Sequence, residues 1–424
     1  MSTILFLSLG GFLILGVPIA IAMGLASALA VWWGGGIPLI IMAQREFTSI
    51  DSFPLMAIPF FILAGTLMEI GGISRRLVAF ANALTGHITG GLGLVAVVTS
   101  MFFAAISGSS AATVAALGSI LIPAMVRRGY HRNFGGAVQA VSGELGVIIP
   151  PSIPMILYGV TTETSIGDMF MAGVIPGLLI GFSLMITVYF IAKKRGYQSE
   201  EKVSWAGRWK AFKDALLALF MPVIILGGIY GGVFTPTEAA GVAVAYAFVI
   251  GVFVYKEIKW KDVLSLFGQS AITSSIIMFI IANAGLFGWI LSREGVPQKV
   301  AAFFTDISSN AFVFLLVINA LLLIVGMFFE TGASIIILAP LLTPVAAQFG
   351  IDPVHFGMIM IVNLAMGMCT PPVGVNLFIS CQIAEITLED ITKAILPFIL
   401  VLIVDLMIIS YIPQVSMWLP NLFK

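Results

Sequence analysis

Residues 142–152 read SGELGVIIPPS and residues 366–376 read MGMCTPPVGVN, so glycine and a Pro-Pro pair interrupt an apolar run twice in the chain. Proline lacks an amide hydrogen and clashes with the preceding helical turn, so each pair breaks a helix and frees backbone carbonyls. Within a bilayer, such unwound backbone is tolerated only where it is buried in protein or lines a watery cavity. The two stretches therefore predict two broken spans, at 134–160 and 354–380.

The composition excludes a soluble enzyme. The chain has 424 residues, of which 60% are hydrophobic and 9% charged, against about 25% charged in an ordinary soluble domain. A mean hydropathy of +1.11 places most of its surface in a lipid bilayer. At about 20 residues a span there is room for roughly ten to twelve crossings. Zero net charge and the lack of basic tails exclude nucleic acid as a partner.

The breaker residues repeat along the chain. An offset of 221 positions places six of them on a second set, namely Pro123, Gly129, Gly136, Gly146, Pro150 and Pro151 on Pro344, Gly350, Gly357, Gly367, Pro371 and Pro372. Two repeats are predicted, 1–192 and 214–424. Between them, segment 193–213 carries Trp205 and Trp209 among Lys and Arg, a pattern typical of an amphipathic linker at the membrane interface.

Each repeat also contains a long Gly/Ser-interrupted apolar region, at about 93–126 and about 310–347. Both are too long for one crossing and lack a charged loop that would separate two crossings. We predict a re-entrant helical hairpin in each, with its tip inside the membrane. Every repeat then makes five crossings, and because five is odd the two repeats have inverted topology.

Positive charge orients this arrangement. With the N-terminus outside, 16 of the 20 Lys and Arg residues fall in loops on the inner side, as the positive-inside rule requires. The four that remain outside are Arg45, Arg293, Lys299 and Lys424. The predicted fold class is therefore an all-α polytopic membrane protein of ten crossings, with both termini outside and linker 193–213 cytoplasmic.

The hairpin tips and the broken spans are the candidate chemical centre. The tips read AISGSSA (105–111) and FETGAS (329–334). Carbonyls of unwound helices commonly coordinate Na⁺, while half-helix N-termini face anionic groups. An isolated Pro or Gly in a span is usually a kink or a packing notch, but here the features are paired and duplicated. That favours cation sites at the tips and breaks.

Ionisable and amide side chains at membrane depth are further candidates. Glu144 and Glu330 are functional candidates by default, although they could relay protons, pair within the bundle or stay protonated. Asp405 stands alone in the last span and is interpreted as structural. Asn376 follows the second Pro-Pro pair and can donate and accept, which suits either a substrate group or a hydrogen bond between helices.

Enzymatic function is not indicated. The three histidines are dispersed, and the sequence contains no zinc-binding HExxH, no GxSxG nucleophile elbow and no phosphate-binding loop. The serines at 107–110 have no base in the same membrane-depth cluster. We predict a protein that is not an enzyme and has no organic cofactor.

Three segments carry a family resemblance: SGSSAATVAALGSILIPAM (107–125), GAVQAVSGELGVIIPPSIPMILYG (136–159) and GIDPVHFGMIMIVNLAMGMCTPPVGVNLF (350–378). Over its full length the chain resembles the large membrane subunit of tripartite ATP-independent periplasmic (TRAP) transporters. The resemblance implies a Na⁺-driven elevator-type importer in the bacterial inner membrane, with both termini periplasmic. It also implies that a periplasmic binding protein delivers the organic acid, often a dicarboxylate or a sialic acid.

The resemblance implies a small four-helix membrane subunit as well, and we expect it to be a separate chain because this sequence begins directly with the large-subunit pattern. The alternative is a stand-alone Na⁺/dicarboxylate symporter of related architecture that needs no binding protein.

The resemblance also carries over two Na⁺ sites. The first comprises Ser107, Ser110, Gly146, Ile149 and Pro151, and the second Gly326, Gly332, Gly367, Thr370 and Val373. Several of these residues would coordinate the ion through their carbonyls. Between the two sites we predict contacts to the substrate from Ser109, Glu144, Thr331 and Asn376.

Overall fold

The computed structural model describes residues 1–34, 37–199, 201–307 and 310–423. All regular secondary structure in this part of the chain is helical. The residues outside the described ranges are 35–36, 200, 308–309 and 424. They belong to the predicted repeats and linker, and they include Lys424, which is predicted to lie on the outer side. In the first half the helices are α1 Ser2–Ile14, α2 Ile19–Gly34, α3 Ile40–Ile50, α4 Ala57–Ile70, α5 Ile73–Thr85, α6 Gly91–Ser107, α7 Ser110–Arg127, α8 Arg132–Gly143, α9 Leu145–Ile148, α10 Ile153–Thr162 and α11 Ile166–Arg195.

In the second half they are α12 Trp205–Tyr230, α13 Pro236–Val249, α14 Trp260–Arg293, α15 Val296–Ile307, α16 Ala311–Phe328, α17 Thr331–Gln348, α18 Pro353–Gly367, α19 Val375–Ala384, α20 Leu388–Tyr411 and α21 Gln414–Leu422. A 3₁₀ turn, Phe53–Met56, leads into α4, and a π-helical turn, Ile250–Val254, follows α13.

The helices are long and apolar enough to make this a multi-pass membrane protein. Within the described ranges nine helices could each cross a bilayer by length and composition, or ten if the bent pair Arg132–Ile148 and Ile153–Thr162 counts as one span. The axes of that pair differ by 42°. The all-helical, multi-pass prediction is confirmed, while the inverted relation of the two halves stays a prediction.

Helices end at both Pro-Pro pairs. In the first half α9 ends at Ile148 and α10 begins at Ile153. In the second half α18 ends at Gly367 and α19 begins at Val375. The Pro150–Pro151 and Pro371–Pro372 peptide bonds are both cis. Non-helical segments 149–152 and 368–374 thus interrupt the regions 134–160 and 354–380.

Two helix pairs occupy the regions expected to form hairpins. Helices α6 and α7 meet at Gly108 and Ser109, where Gly108 takes φ +61°, a left-handed conformation that glycine adopts without steric cost. Ser109 then caps α7, because its Oγ accepts from the Ala112 amide at 3.4 Å. Helices α16 and α17 meet at Phe329 and Glu330, and the Glu330 carboxylate caps α17 through the Ala333 amide at 3.1 Å.

Helices α11 and α12 enter the predicted linker 193–213 from its two ends. Helix α11 continues to Arg195, where Gly196 ends it at φ +69°, and α12 begins at Trp205 behind a Ser204 cap. Trp205 and Trp209 therefore lie in the first turns of α12. Both rings are exposed, as expected of aromatic side chains that anchor a span at the interface.

The two halves interlock around the tips and breaks. Helices α7 and α8 pack on α19, α8 packs on α20, and α10 packs on α17. On the other side of the molecule α2, α3, α4, α13 and α14 pack on one another, and α4 and α14 also contact α6 and α17, respectively. This arrangement places the two tips opposite a wall made by α2, α4 and α14.

Candidate functional site

The first tip is a cluster of uncharged oxygen atoms. The Oγ of Ser107 and the Oγ1 of Thr113 lie 2.9 Å apart, and the Thr113 hydroxyl donates to the Ser109 carbonyl at 2.8 Å. The Ile153 amide, just after the first Pro-Pro pair, donates to the Gly108 carbonyl at 3.2 Å. Tip and break are therefore joined directly by main-chain bonding.

Glycine allows the break to approach this tip closely. A Cβ atom at Gly146 would lie 2.5 Å from both the Ser109 carbonyl oxygen and Thr113 Oγ1. A Cβ at Gly108 would lie 3.1 Å from the Pro151 carbonyl oxygen. The structure thus brings Ser107, Gly146 and Pro151 together, as predicted for one ion site.

The two other residues predicted for this site lie at its edge. The Ile149 side chain packs on Gly177 of α11, and because it carries no ligand atom only the Ile149 carbonyl could coordinate an ion. Ser110 is buried, and its Oγ accepts a 2.6 Å hydrogen bond from Asn376 of the second half. Thr113 was missed, because a threonine in the second turn of an apolar helix carries no sequence signal for a site.

The second tip meets its break through glycine contacts. A Cβ at Gly367 would lie 2.5 Å from the Gly326 Cα, so α16 and α18 touch backbone to backbone. The Gly374 amide donates to the Met327 carbonyl at 2.9 Å, which docks segment 368–374 on the end of α16. Gly326 and Gly367 are thus brought together, as predicted, and the Met327 carbonyl joins them.

The remaining residues of the second predicted site are distributed around it. Thr370 donates its hydroxyl to the Met366 carbonyl at 2.8 Å, and Val373 is half-buried in the same segment. Gly332 instead lies against α10, since a Cβ there would be 3.0 Å from the Leu157 Cδ1. Gly332 thus lies where the second tip packs on α10 of the first half.

A cavity of about 540 Å³ lies between the two tips. Its walls include Ser107 and Ser109 from the first tip and Glu330 from the second. The opposite wall is formed by α2, α4 and α14, with Glu69 of α4 among its residues. Glu69 and Glu330 are the only charged side chains among the described residues that line this cavity.

Of the four predicted substrate contacts, Ser109 alone lines the cavity. Thr331, Glu144 and Asn376 are buried in helix packing. The Thr331 hydroxyl contacts the Met368 sulfur at 3.0 Å, and the Cys369 thiol lies beside the Glu144 carboxyl. For Asn376 the structure shows the hydrogen bond between helices that the sequence left open, because the first half covers this face of α19.

The two remaining carboxylates that the sequence singled out, Asp405 and Glu330, lie in different surroundings. Asp405 accepts a 2.9 Å hydrogen bond from Ser183 of α11 and is buried, which suits the structural role expected of it. Glu330 caps α17 and faces the cavity.

The chain is similar in sequence to known transport proteins. Residues 6–415 match the family model described as "Tripartite ATP-independent periplasmic transporter, DctM component". The C4-dicarboxylate TRAP transporter large permease protein DctM of Rhodobacter capsulatus is 42% identical over 99% of this chain and 98% of its own length. The sialic acid TRAP transporter large permease protein SiaM of Vibrio cholerae is 40% identical over 97% of each chain.

A further relative differs in length, and one solved structure shares the fold. The isethionate TRAP transporter permease protein DctMQ of Oleidesulfovibrio alaskensis is 46% identical over 96% of this chain, but the chain spans only 64% of that protein. The crystal structure of the Alcanivorax borkumensis YdaH transporter superposes with a TM-score of 0.62 over 90% of this chain and 87% of that one. At 16% identity that likeness concerns the fold alone.

Proposed function

Because the chain belongs to the DctM component family of tripartite ATP-independent periplasmic transporters, we propose that it is the large permease subunit of a Na⁺-coupled importer of an organic acid. A periplasmic binding protein delivers the acid, and a small four-helix membrane subunit completes the permease in the bacterial inner membrane. A dicarboxylate or a sialic-acid-like carboxylate fits the range of the relatives' names.

The oxygen cluster at the first tip is the observation that supports Na⁺ most directly. Ser107 Oγ, Thr113 Oγ1 and the Ser109 carbonyl lie within hydrogen-bond reach of one another, and the Pro151 carbonyl faces the same tip. These are neutral hard oxygens on unwound backbone, which is how transporters commonly hold Na⁺ at membrane depth. The contact of segment 368–374 with the end of α16 supports a second site of the same kind.

The division of the molecule supports an elevator mechanism. The tips and breaks pack together as one body, whereas the far wall of the cavity belongs to α2, α4 and α14. When the tips and breaks slide along that wall, they carry the bound acid from one side of the membrane to the other. Na⁺ drives this movement only if it binds one arrangement of the tips better than another. Ordering of the tips by Na⁺ supplies that difference.

Binding of ²²Na⁺ to the purified protein tests the proposed sites without knowledge of the substrate. We expect saturable binding of about two ions per chain, reduced to about one when Ser107 and Thr113 are changed together to Ala and Val. Absence of saturable Na⁺ binding would contradict the proposed function.

A further inference from the structure

One side chain bridges the two halves at the level of the tips. Asn376 lies in the first turn of α19 and is fully buried. Its Nδ2 donates to Ser110 Oγ at 2.6 Å, and the two residues are 266 positions apart in the sequence. Ser110 is the first residue of α7, directly after the first tip.

The orientation of this amide follows from its surroundings. Nδ2 also lies 3.3 Å from the Ala140 carbonyl oxygen and 3.3 Å from the Cys369 sulfur. A carbonyl can only accept, so the nitrogen, and not the oxygen, of the side-chain amide faces Ala140. The bond to Ser110 is therefore donated by Asn376, and it leaves a lone pair on the Ser110 oxygen free for another partner.

The main chain of Asn376 belongs to the second break. Its amide donates to the Met368 carbonyl at 3.1 Å and so closes segment 368–374. That segment is held on the end of α16 by the Gly374 amide. Asn376 thus joins the hydroxyl beside the first tip to the loop that contains Thr370 and Val373.

We propose that Asn376 is a positioning residue that couples the two sodium sites, so that an ion in the first site favours binding of an ion in the second. The inference rests on the proposed function. Na⁺ at the first tip orders Ser110, Ser110 fixes the Asn376 side chain, and segment 368–374 is thereby held ready for its ion. Because linkage is reciprocal, an ion in the second site must favour the first by the same factor. The cost of ordering both regions is then met largely by the first ion bound.

Equilibrium ²²Na⁺ binding to the purified permease complex tests the coupling. For the wild type we expect a Hill coefficient well above 1, with an upper limit of about 2 for two sites. Asn376→Ala should lower it to about 1 while the stoichiometry stays at about two ions. Asn376→Leu removes the same bond with a side chain of similar volume and should give the same reduction, with the stoichiometry again at about two ions.

Asn283→Ala is the matched control. Asn283 is also a buried asparagine of the second half, but it lies in α14 and donates to the Phe279 carbonyl of the same helix at 2.8 Å. We expect this variant to keep the wild-type Hill coefficient, which separates coupling from a general effect of losing a buried amide.

The outcomes are distinct. A wild-type Hill coefficient of 1, or an unchanged coefficient in both Asn376→Ala and Asn376→Leu, would overturn the coupling and leave Na⁺ binding in place. If Asn376→Ala fails to purify as a folded complex, Asn376→Leu decides between these results. A wild type that binds no Na⁺ would overturn the proposed function together with this inference.

Discussion

Thr113 is the residue that best shows how the first tip is held. Its hydroxyl contacts both Ser107 and the Ser109 carbonyl, and it faces Gly146 of the break. One side chain thus fixes the spacing of two proposed ligands, and it adds a third oxygen to them.

Thr113→Val keeps the shape of the side chain but removes the hydroxyl. We expect the Na⁺ affinity to fall about tenfold, because one hydrogen bond or ligand is worth about 1.4 kcal/mol and that corresponds to a factor of ten. Thr113→Ser, which retains the oxygen, should lose much less. Equal affinities for the valine and serine variants in ²²Na⁺ titrations would show that this hydroxyl has no part in ion binding.

Gly146→Ala tests the close approach of the break. The new methyl group would lie 2.5 Å from two oxygens of the tip, so tip and break must separate. Na⁺ affinity should fall by about tenfold or more, while Gly241→Ala, in α13 with open space around its Cβ, should be neutral. Wild-type Na⁺ affinity for Gly146→Ala would count against a site at this junction.

Sequence reasoning reached these residues unevenly. The interruptions at Ser107, Gly146 and Pro151 could be predicted because serine, glycine and a Pro-Pro pair visibly break apolar helices, whereas the choice of these residues as ion ligands came from the family resemblance. Thr113 could not, since its role arises only when α7 folds back on the break. Thr331 and Asn376 flank the same interruptions, but which face of a short helix is covered depends on the packing of the other half.

At the scale of helices, α16 and α18 make a close junction in the second half. It depends on Gly326 and Gly367, where backbones meet without side chains between them. Small residues allow such approach in membranes, where dispersion contacts replace the hydrophobic effect as the force between helices.

Gly367→Ala should separate α16 from α18. Overpacking of this kind costs roughly 1–3 kcal/mol, so we expect a lower Tm for the purified protein together with weaker Na⁺ binding. Gly241→Ala again serves as the control, and the readout is tryptophan fluorescence during heating. An unchanged Tm would mean that the two helices can separate without loss.

The boundaries of α11 and α12 could not be read from composition. The polar stretch 193–213 predicts an interfacial linker, but it does not predict that the Ser204 cap starts α12 at Trp205. Local caps decide where a helix begins, and composition averaged over 20 residues conceals them.

At the scale of the molecule, the all-helical, multi-pass architecture could be predicted because the bilayer fixes span length and charge is scarce. The relatives are transport permeases, which confirms the prediction that this chain is not an enzyme. Orientation rests on the asymmetry of Lys and Arg.

Labelling of introduced cysteines tests that orientation. Helix α11 is 30 residues long, with Glu163 just before its start and Lys194 near its end. Glu163→Cys should react with an impermeant maleimide at the periplasmic surface of spheroplasts, and Lys194→Cys only after permeabilisation. The reverse pattern would invert the topology that the two repeats require.

Uptake of organic acids into proteoliposomes is the most direct test of the central claim. The chain is reconstituted with its small membrane subunit and periplasmic binding protein, and a panel of labelled C4-dicarboxylates and sialic acid is offered. We expect at least one acid to accumulate under an inward Na⁺ gradient, and that accumulation to stop when the gradient is collapsed. Equal uptake without Na⁺, or on a proton gradient alone, would contradict the account.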